Sequence, residues 1–295
     1  PLRHGIELTC RVAGELGRPV LLFLHGFPEA AFAWDNLLTH FSKPEHGGYR
    51  CVAPNLRGFA DSSSPSELSA YRAKHLVQDV LALIEAESGS AKLAALVAHD
   101  WGGAVAWNVA NQHPERTSRL VILNSPHPGL FWRALRENPE QQAASAYMNF
   151  LVRPDAENLL SQHDFQKLWS FAFDEISAPG SSQWLDDALR QQYREVWSQG
   201  LSGGLNYYRA SPLRPATELD PGAKGLELPD AFWRVNVPTL VLWGLRDRAL
   251  LPCLLDGLHE HVPQLELHTH DQASHWIVHE QPAWVISHVS RFLQS

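Results

Sequence analysis

The sequence predicts an α/β protein, with a mostly parallel sheet wrapped by helices and interrupted by one helical insertion. Three observations carry this. Short apolar runs of strand length alternate with helix-length amphipathic stretches in the first third of the chain, the pattern of strands joined by crossover helices. That alternation stops after Asn124 and resumes at Val237. The stretch between is rich in Trp, Gln, Asn and Tyr, mostly helical in spacing, and offers no convincing strand.

In chain order, Val20-Leu21-Leu22-Phe23-Leu24 is a buried-strand pattern that ends at His25-Gly26-Phe27-Pro28. Arg50 to Pro54 is a second strand, followed by the turn-rich segment Asn55 to Ser62. Ala73 to Glu87 carries apolar residues at helical spacing. Leu93 to Ala98 is a third strand, and Ala104 to Asn111 reads as a helix ending near Pro114. Arg119 to Leu123 is a fourth. The late strands are Val237 to Gly244 and Gln264 to His268, and a helix from Ala283 to Phe292 closes the chain. Residues 1–125 and 233–295 are therefore read as two parts of one core, with 126–232 as a helical cap between them.

Composition narrows the function. Of 295 residues, 44% are hydrophobic, enough for a sizeable core. No uncharged apolar run reaches the length of a membrane span. The net charge of −8, without a Lys/Arg cluster, argues against a nucleic-acid partner. Cys10, Cys51 and Cys253 are widely spaced and form no metal-ligand pattern, so a reducing, cytoplasmic setting is expected. The chain starts at Pro1 and not Met, which leaves a removed signal peptide open. Monomer and homodimer are equally compatible with the sequence.

The chemistry concentrates in Ala98-His99-Asp100-Trp101-Gly102-Gly103, where a buried strand gives way to a helix. A strained turn there would expose one side chain above the sheet, as a nucleophile elbow does. The exposed position holds Asp100 and not Ser. A carboxylate attacks a saturated carbon directly and leaves an ester on the enzyme, which water must then cleave with the help of a general base. The bland alternative is that Asp100 caps the helix that follows. His275, in a short turn after the last strand, stands where the order nucleophile, acid, histidine puts the base. Asp247, after the strand ending at Gly244, can orient that imidazole. The backbone amides of Phe27 and Trp101 are the expected oxyanion donors. Their side chains, with Pro28 and Phe150, are expected to contact substrate. His268 and His270 form a His-x-His pair without a third ligand, so no metal is expected, and no organic cofactor either.

These residues resemble the α/β-hydrolase-fold epoxide hydrolases, relatives of the haloalkane dehalogenases. The resemblance spans nearly the whole chain. It rests on His25 to Pro28, His99 to Gly103, Asp247 and the Ser274-His275-Trp276 turn. It implies two cap tyrosines whose hydroxyls bind the epoxide oxygen. Tyr147, in Tyr147-Met148-Asn149-Phe150, looks like the first. Tyr208, directly before Arg209, looks like the second, with neighbouring Tyr207 as its rival. The implied reaction turns a small apolar epoxide into a vicinal 1,2-diol through an Asp100 ester. The aromatics Trp101, Trp107 and Phe150, counted with the cap, suggest an apolar pocket. The main alternative is a haloalkane dehalogenase. It would share the nucleophile but needs a halide clamp, and Phe27 replaces the Asn of one such clamp while Trp101 keeps its partner. An acyl hydrolase and a non-catalytic binding protein are the other rivals. Neither suits a retained Asp100, Asp247 and His275, and no Gly-x-Ser-x-Gly occurs elsewhere in the chain.

Overall fold

The computed structural model describes residues 1–177, 180, 182–227 and 233–295. Seven strands form one sheet in the order β1-β3-β2-β4-β5-β6-β7. They are β1 (Cys10–Ala13), β2 (Val20–Leu24), β3 (Arg50–Pro54), β4 (Ala95–His99), β5 (Leu120–Leu123), β6 (Thr239–Gly244) and β7 (Leu265–His270). Only β1 runs antiparallel, against β3. Every residue of β2, β4, β5 and β6 is buried. Strands covered on both faces read as unbroken apolar runs, which is why these four are visible in the sequence.

Period-two alternation divides the strand residues between two apolar layers. Leu22 and Leu24 join helices α2 (Ala73–Ser88) and α3 (Asp100–Gln112) on one face. Leu21 and Phe23 face α1 (Asp35–Phe41) and the C-terminal helix α12 (Pro282–Gln294) on the other. Helix α3 begins at Asp100, four residues before the expected Ala104, because the chain turns directly from β4 into the helix. Strand β1 was not expected. It has four residues at the sheet edge, two of them exposed, too short for an alternation signal.

Between β5 and β6 the described residues hold no strand. They form α4 (Pro128–Glu137), α5 (Pro139–Ala144), α6 (Tyr147–Leu151), α7 (Ala156–Ser170), α8 (Asp187–Trp197) and α9 (Ser202–Ala210). Helix α7 is broken by non-helical backbone at Gln162 to Phe165. The expected cap boundary at Phe232 lies outside the described residues. Two short helices follow β6: α10 (Leu258–His261) and, after β7, α11 (Ile277–Glu280). Among the described residues no helix is long and apolar enough to cross a membrane.

Candidate active site

Asp100 is the first residue of α3 and has φ of +49°. A left-handed backbone at a non-glycine residue costs on the order of 1–3 kcal/mol and persists only where its surroundings impose it. Here they do. A Cβ at Gly26 would lie 2.3 Å from Asp100 Oδ1, and one at Gly102 would lie 2.3 Å from the Leu24 carbonyl oxygen. The end of β2 and the first turn of α3 thus touch backbone to backbone, and Ser125 ties the turn further by donating to the Asp100 carbonyl at 2.7 Å.

The two carboxylate oxygens of Asp100 meet different partners. Oδ1 accepts the Phe27 amide at 2.8 Å. Oδ2 lies 3.7 Å from His275 Nε2, beyond direct hydrogen bonding. The Trp101 amide stands in the first turn of α3, where helical geometry leaves N–H groups without an intrahelical acceptor. The Phe27–Pro28 peptide bond is cis.

His275 Nδ1 donates to Asp247 Oδ2 at 2.7 Å. The same oxygen accepts from Asn124 Nδ2 at 2.8 Å, while Oδ1 accepts the Ala249 and Leu250 amides at 2.9 and 2.8 Å. Asn124 Oδ1 in turn accepts the Gly244 amide at 2.8 Å. Asp247 is therefore fully hydrogen-bonded in a buried position, as a buried charge requires. Burial alone would lower the His275 pKa. Asp247, then Asp100 and Glu29, outweigh it and raise the pKa to about 9.

Two supports of this group escaped the sequence reading. Asn124 sits at the end of β5, where an Asn reads as an ordinary turn residue. Glu29 is buried, and binds the Tyr193 hydroxyl at 2.7 Å and His279 Nε2 at 2.6 Å. Burial would raise its pKa, but His279 and His99 hold it far below the usual carboxylate range. His99 also donates from Nε2 to the His275 carbonyl at 2.8 Å. Only a buried acid one residue beyond the His25 to Pro28 motif could have pointed to Glu29.

A cavity of about 310 Å³ opens beside Asp100 and is lined in part by Trp101, Tyr147 and Tyr208. The rings of the two tyrosines lie 6.3 Å apart at 77°. Burial, and next the charge of Asp100, push both hydroxyls well above the usual tyrosine range, so they stay protonated as donors. Tyr207 also borders the cavity, but its hydroxyl donates to the Arg57 carbonyl at 2.9 Å and is already committed.

Residues 19–282 match the family described as alpha/beta hydrolase fold. The chain belongs to that family. The AB hydrolase superfamily protein YfhM of Bacillus subtilis is 33% identical over 99% of this chain and 96% of its own length. An epoxide hydrolase of Caballeronia sordidicola is 31% identical over 99% and 92%. The crystal structure of a Bacillus megaterium epoxide hydrolase bound to an inhibitor superposes with a TM-score of 0.89, at 31% identity over 100% and 99% of the two chains. Within the α/β hydrolases the chain falls in the epoxide hydrolase group.

Several expected contacts are corrected by the geometry. Phe27 and Pro28 border a separate void of about 10 Å³ and not the main cavity. Phe150 does not line the cavity; its partly buried ring packs beside Lys167 Nζ, 4.4 Å away. Trp101 and Trp107 stand on α3 of the core and not on the cap. The Trp107 indole is buried against the Ser125 carbonyl, 3.2 Å away. Trp169, Trp184 and Trp197 of the cap do not line the cavity. Trp169 and Trp197 donate to the Asp164 and Pro28 carbonyls, and Trp184 stacks on His279. Among the described residues no group of three potential ligands could hold a metal ion. His268 is paired with Glu266 on β7.

Proposed function

We propose that this α/β hydrolase opens epoxides to vicinal 1,2-diols through a covalent ester on Asp100. One observation carries the reading: Asp100 shares a single cavity with two protonated tyrosines, Tyr147 and Tyr208, while His275 stands beside its other flank. A halide needs no proton on departure, whereas an alkoxide does. Paired phenols opposite a carboxylate nucleophile therefore suit a ring oxygen.

In this mechanism Asp100 Oδ2 attacks a ring carbon, because Oδ1 is already held by the Phe27 amide. The carbon–oxygen bond breaks and the departing oxygen takes a proton from Tyr147 or Tyr208. The ester removes one of the charges that hold the His275 pKa near 9. The neutral imidazole that can accept a proton from water is thus reached more easily after the ring has opened, when it is needed. It takes a proton from water, and the hydroxide attacks Asp100 Cγ. The resulting oxyanion forms at Oδ1, against the Phe27 and Trp101 amides. When the ester bond breaks, His275 returns its proton to the departing diol oxygen, and the proton left on the carboxyl restores the tyrosine. Asp247 and Asn124 hold the imidazole in register throughout.

The helices within residues 126–232 would serve as the cap that keeps bulk water from the ester. The free thiols of Cys10, Cys51 and Cys253 favour a reducing, cytoplasmic setting. The test is diol formation from styrene oxide, with Asp100→Ala as control. Wild-type turnover abolished by the substitution supports the reading. Halide release from 1-chlorobutane without diol from styrene oxide would favour a dehalogenase, and steady hydrolysis of a nitrophenyl ester by the variant would favour an acyl hydrolase.

A further inference from the structure

Gln141, on α5 between β5 and β6, is fully buried. A buried side-chain amide is unfavourable unless its polar atoms find partners, and here they do. Nε2 donates to Ser145 Oγ and to the Ala249 carbonyl, each at 2.8 Å, and Oε1 accepts the Leu251 amide at 3.0 Å. A carbonyl can only accept and a backbone amide can only donate, so the Ala249 and Leu251 contacts fix which way the side chain points.

Each arm of Gln141 ends beside a group of the site. The Ala249 and Leu250 amides donate to Asp247 Oδ1 at 2.9 and 2.8 Å. Residues 249–251 are thus held on one side by the Asp247 carboxylate and on the other by Gln141, and Leu250 among them lines the cavity. The second arm reaches Ser145, which is also fully buried. The Ser145 carbonyl accepts the Met148 amide at 3.0 Å, in the first turn of α6, the helix that Tyr147 begins. A Leu or Met would fill the volume at position 141, but would leave the Ala249 carbonyl and the Leu251 amide without this partner.

We propose that Gln141 is a positioning residue that keeps Tyr147, on one arm, in register with Asp247 and hence His275, on the other. The proposal rests on the epoxide reading above. It adds to that reading the side chain that ties the acid of ring opening to the base of ester hydrolysis.

Single turnover of styrene oxide with enzyme in excess, quenched and followed as epoxide, Asp100 ester and diol, separates the two steps. A small unfolded fraction of enzyme changes neither rate. Ser145→Ala removes only the arm to α6 and is expected to slow ring opening about 10-fold, as for a slightly displaced catalytic group, with ester hydrolysis within about twofold of wild type. Gln141→Met removes both arms and is expected to slow both steps about 10-fold. Thr117→Ala is the control for stability alone. It loses a buried hydroxyl bonded to the Arg119 carbonyl at 2.7 Å, at the end of the sheet away from Asp100. It should lower the melting temperature and leave both rates within about twofold of wild type. Ring opening slowed less than about threefold in Ser145→Ala, or slowed as much in Thr117→Ala, overturns the proposal. So does wild-type ester hydrolysis in a folded Gln141→Met; if that variant does not fold, Ser145→Ala decides alone. These results leave epoxide hydrolysis intact, whereas a wild-type enzyme that forms no diol overturns both readings.

Discussion

Asp100 presents two inequivalent oxygens, and the roles of its neighbours follow from that inequality. Oδ1 is held by the Phe27 amide and Oδ2 looks toward His275. The tyrosines are distinguished in the same way, by where each hydroxyl goes. Tyr207 donates to the Arg57 carbonyl, while Tyr147 and Tyr208 share the cavity with Asp100. Tyr147→Phe and Tyr208→Phe are each expected to slow ring opening about 100-fold, the usual scale for a positioned general acid. Tyr207→Phe should instead destabilise the fold by about 1 kcal/mol, the value of a buried hydrogen bond, and change ring opening only slightly. Rapid-quench assays and thermal melts on the three variants check this, and a Tyr207→Phe variant as slow as the other two would reverse the assignment. The meeting of Asp100, Asp247 and His275 was legible in the sequence because each follows a strand end that is itself legible. Asn124 and Glu29 were not, since a lone Asn or Glu in a loop carries no local signature of burial. Phe150 misled because its ring is taken up by packing beside Lys167 of α7, a contact that sequence proximity to Tyr147 does not reveal.

At the scale of elements, the buried strands announce themselves as unbroken apolar runs, the long helices α2 and α12 by their period, and the elbow by its glycines. Helix α9 does not, although it does two jobs. Its first half seats on Gly58 and Phe27, while Tyr207, Tyr208 and Ala210 in its second half line the cavity. Glycines at 203 and 204 look unfavourable in a helix, and only what faces them explains them: the Gly58 backbone for Gly203 and the Phe27 ring for Gly204. Gly203→Ala is therefore expected to destabilise despite the better helix propensity of Ala. A methyl 2.1 Å from the Gly58 carbonyl oxygen must lift α9, at a cost of about 1–3 kcal/mol for overpacking. A calorimetric melt of the variant checks it, and an unchanged or raised melting temperature would show that the seam is loose. Strand β1 and the early start of α3 escaped for opposite reasons: one is too short to show a period, and the other starts in residues chosen for a strained turn.

Across the whole molecule, three buried histidines set opposing pH limits. Burial lowers His25 and His127 to about 4 against a reference of 6.5, so the unfolded chain takes up protons before the folded one. Their contribution is complete above about pH 6.5 and is lost as pH falls toward 4. His275 is raised to about 9. Its contribution is complete below about 6.5 and is lost as pH rises through 9. Thermal stability is thus expected to peak near pH 6.5 and decline on both sides, and a melting temperature that rose steadily from pH 5 to 9 would contradict this balance. The fold's outline was legible because covered strands leave unbroken apolar runs, whereas the seat of α9 on Gly58 and Phe27 depends on contacts that no local pattern encodes. The central claim is that the oxygen added to substrate comes first from Asp100. Single turnover of styrene oxide in heavy-oxygen water, with enzyme in excess, tests it directly by mass spectrometry of the diol and of the Asp100 peptide. Label in Asp100 with an unlabelled diol is the predicted result; a labelled diol with unlabelled Asp100 would contradict covalent catalysis.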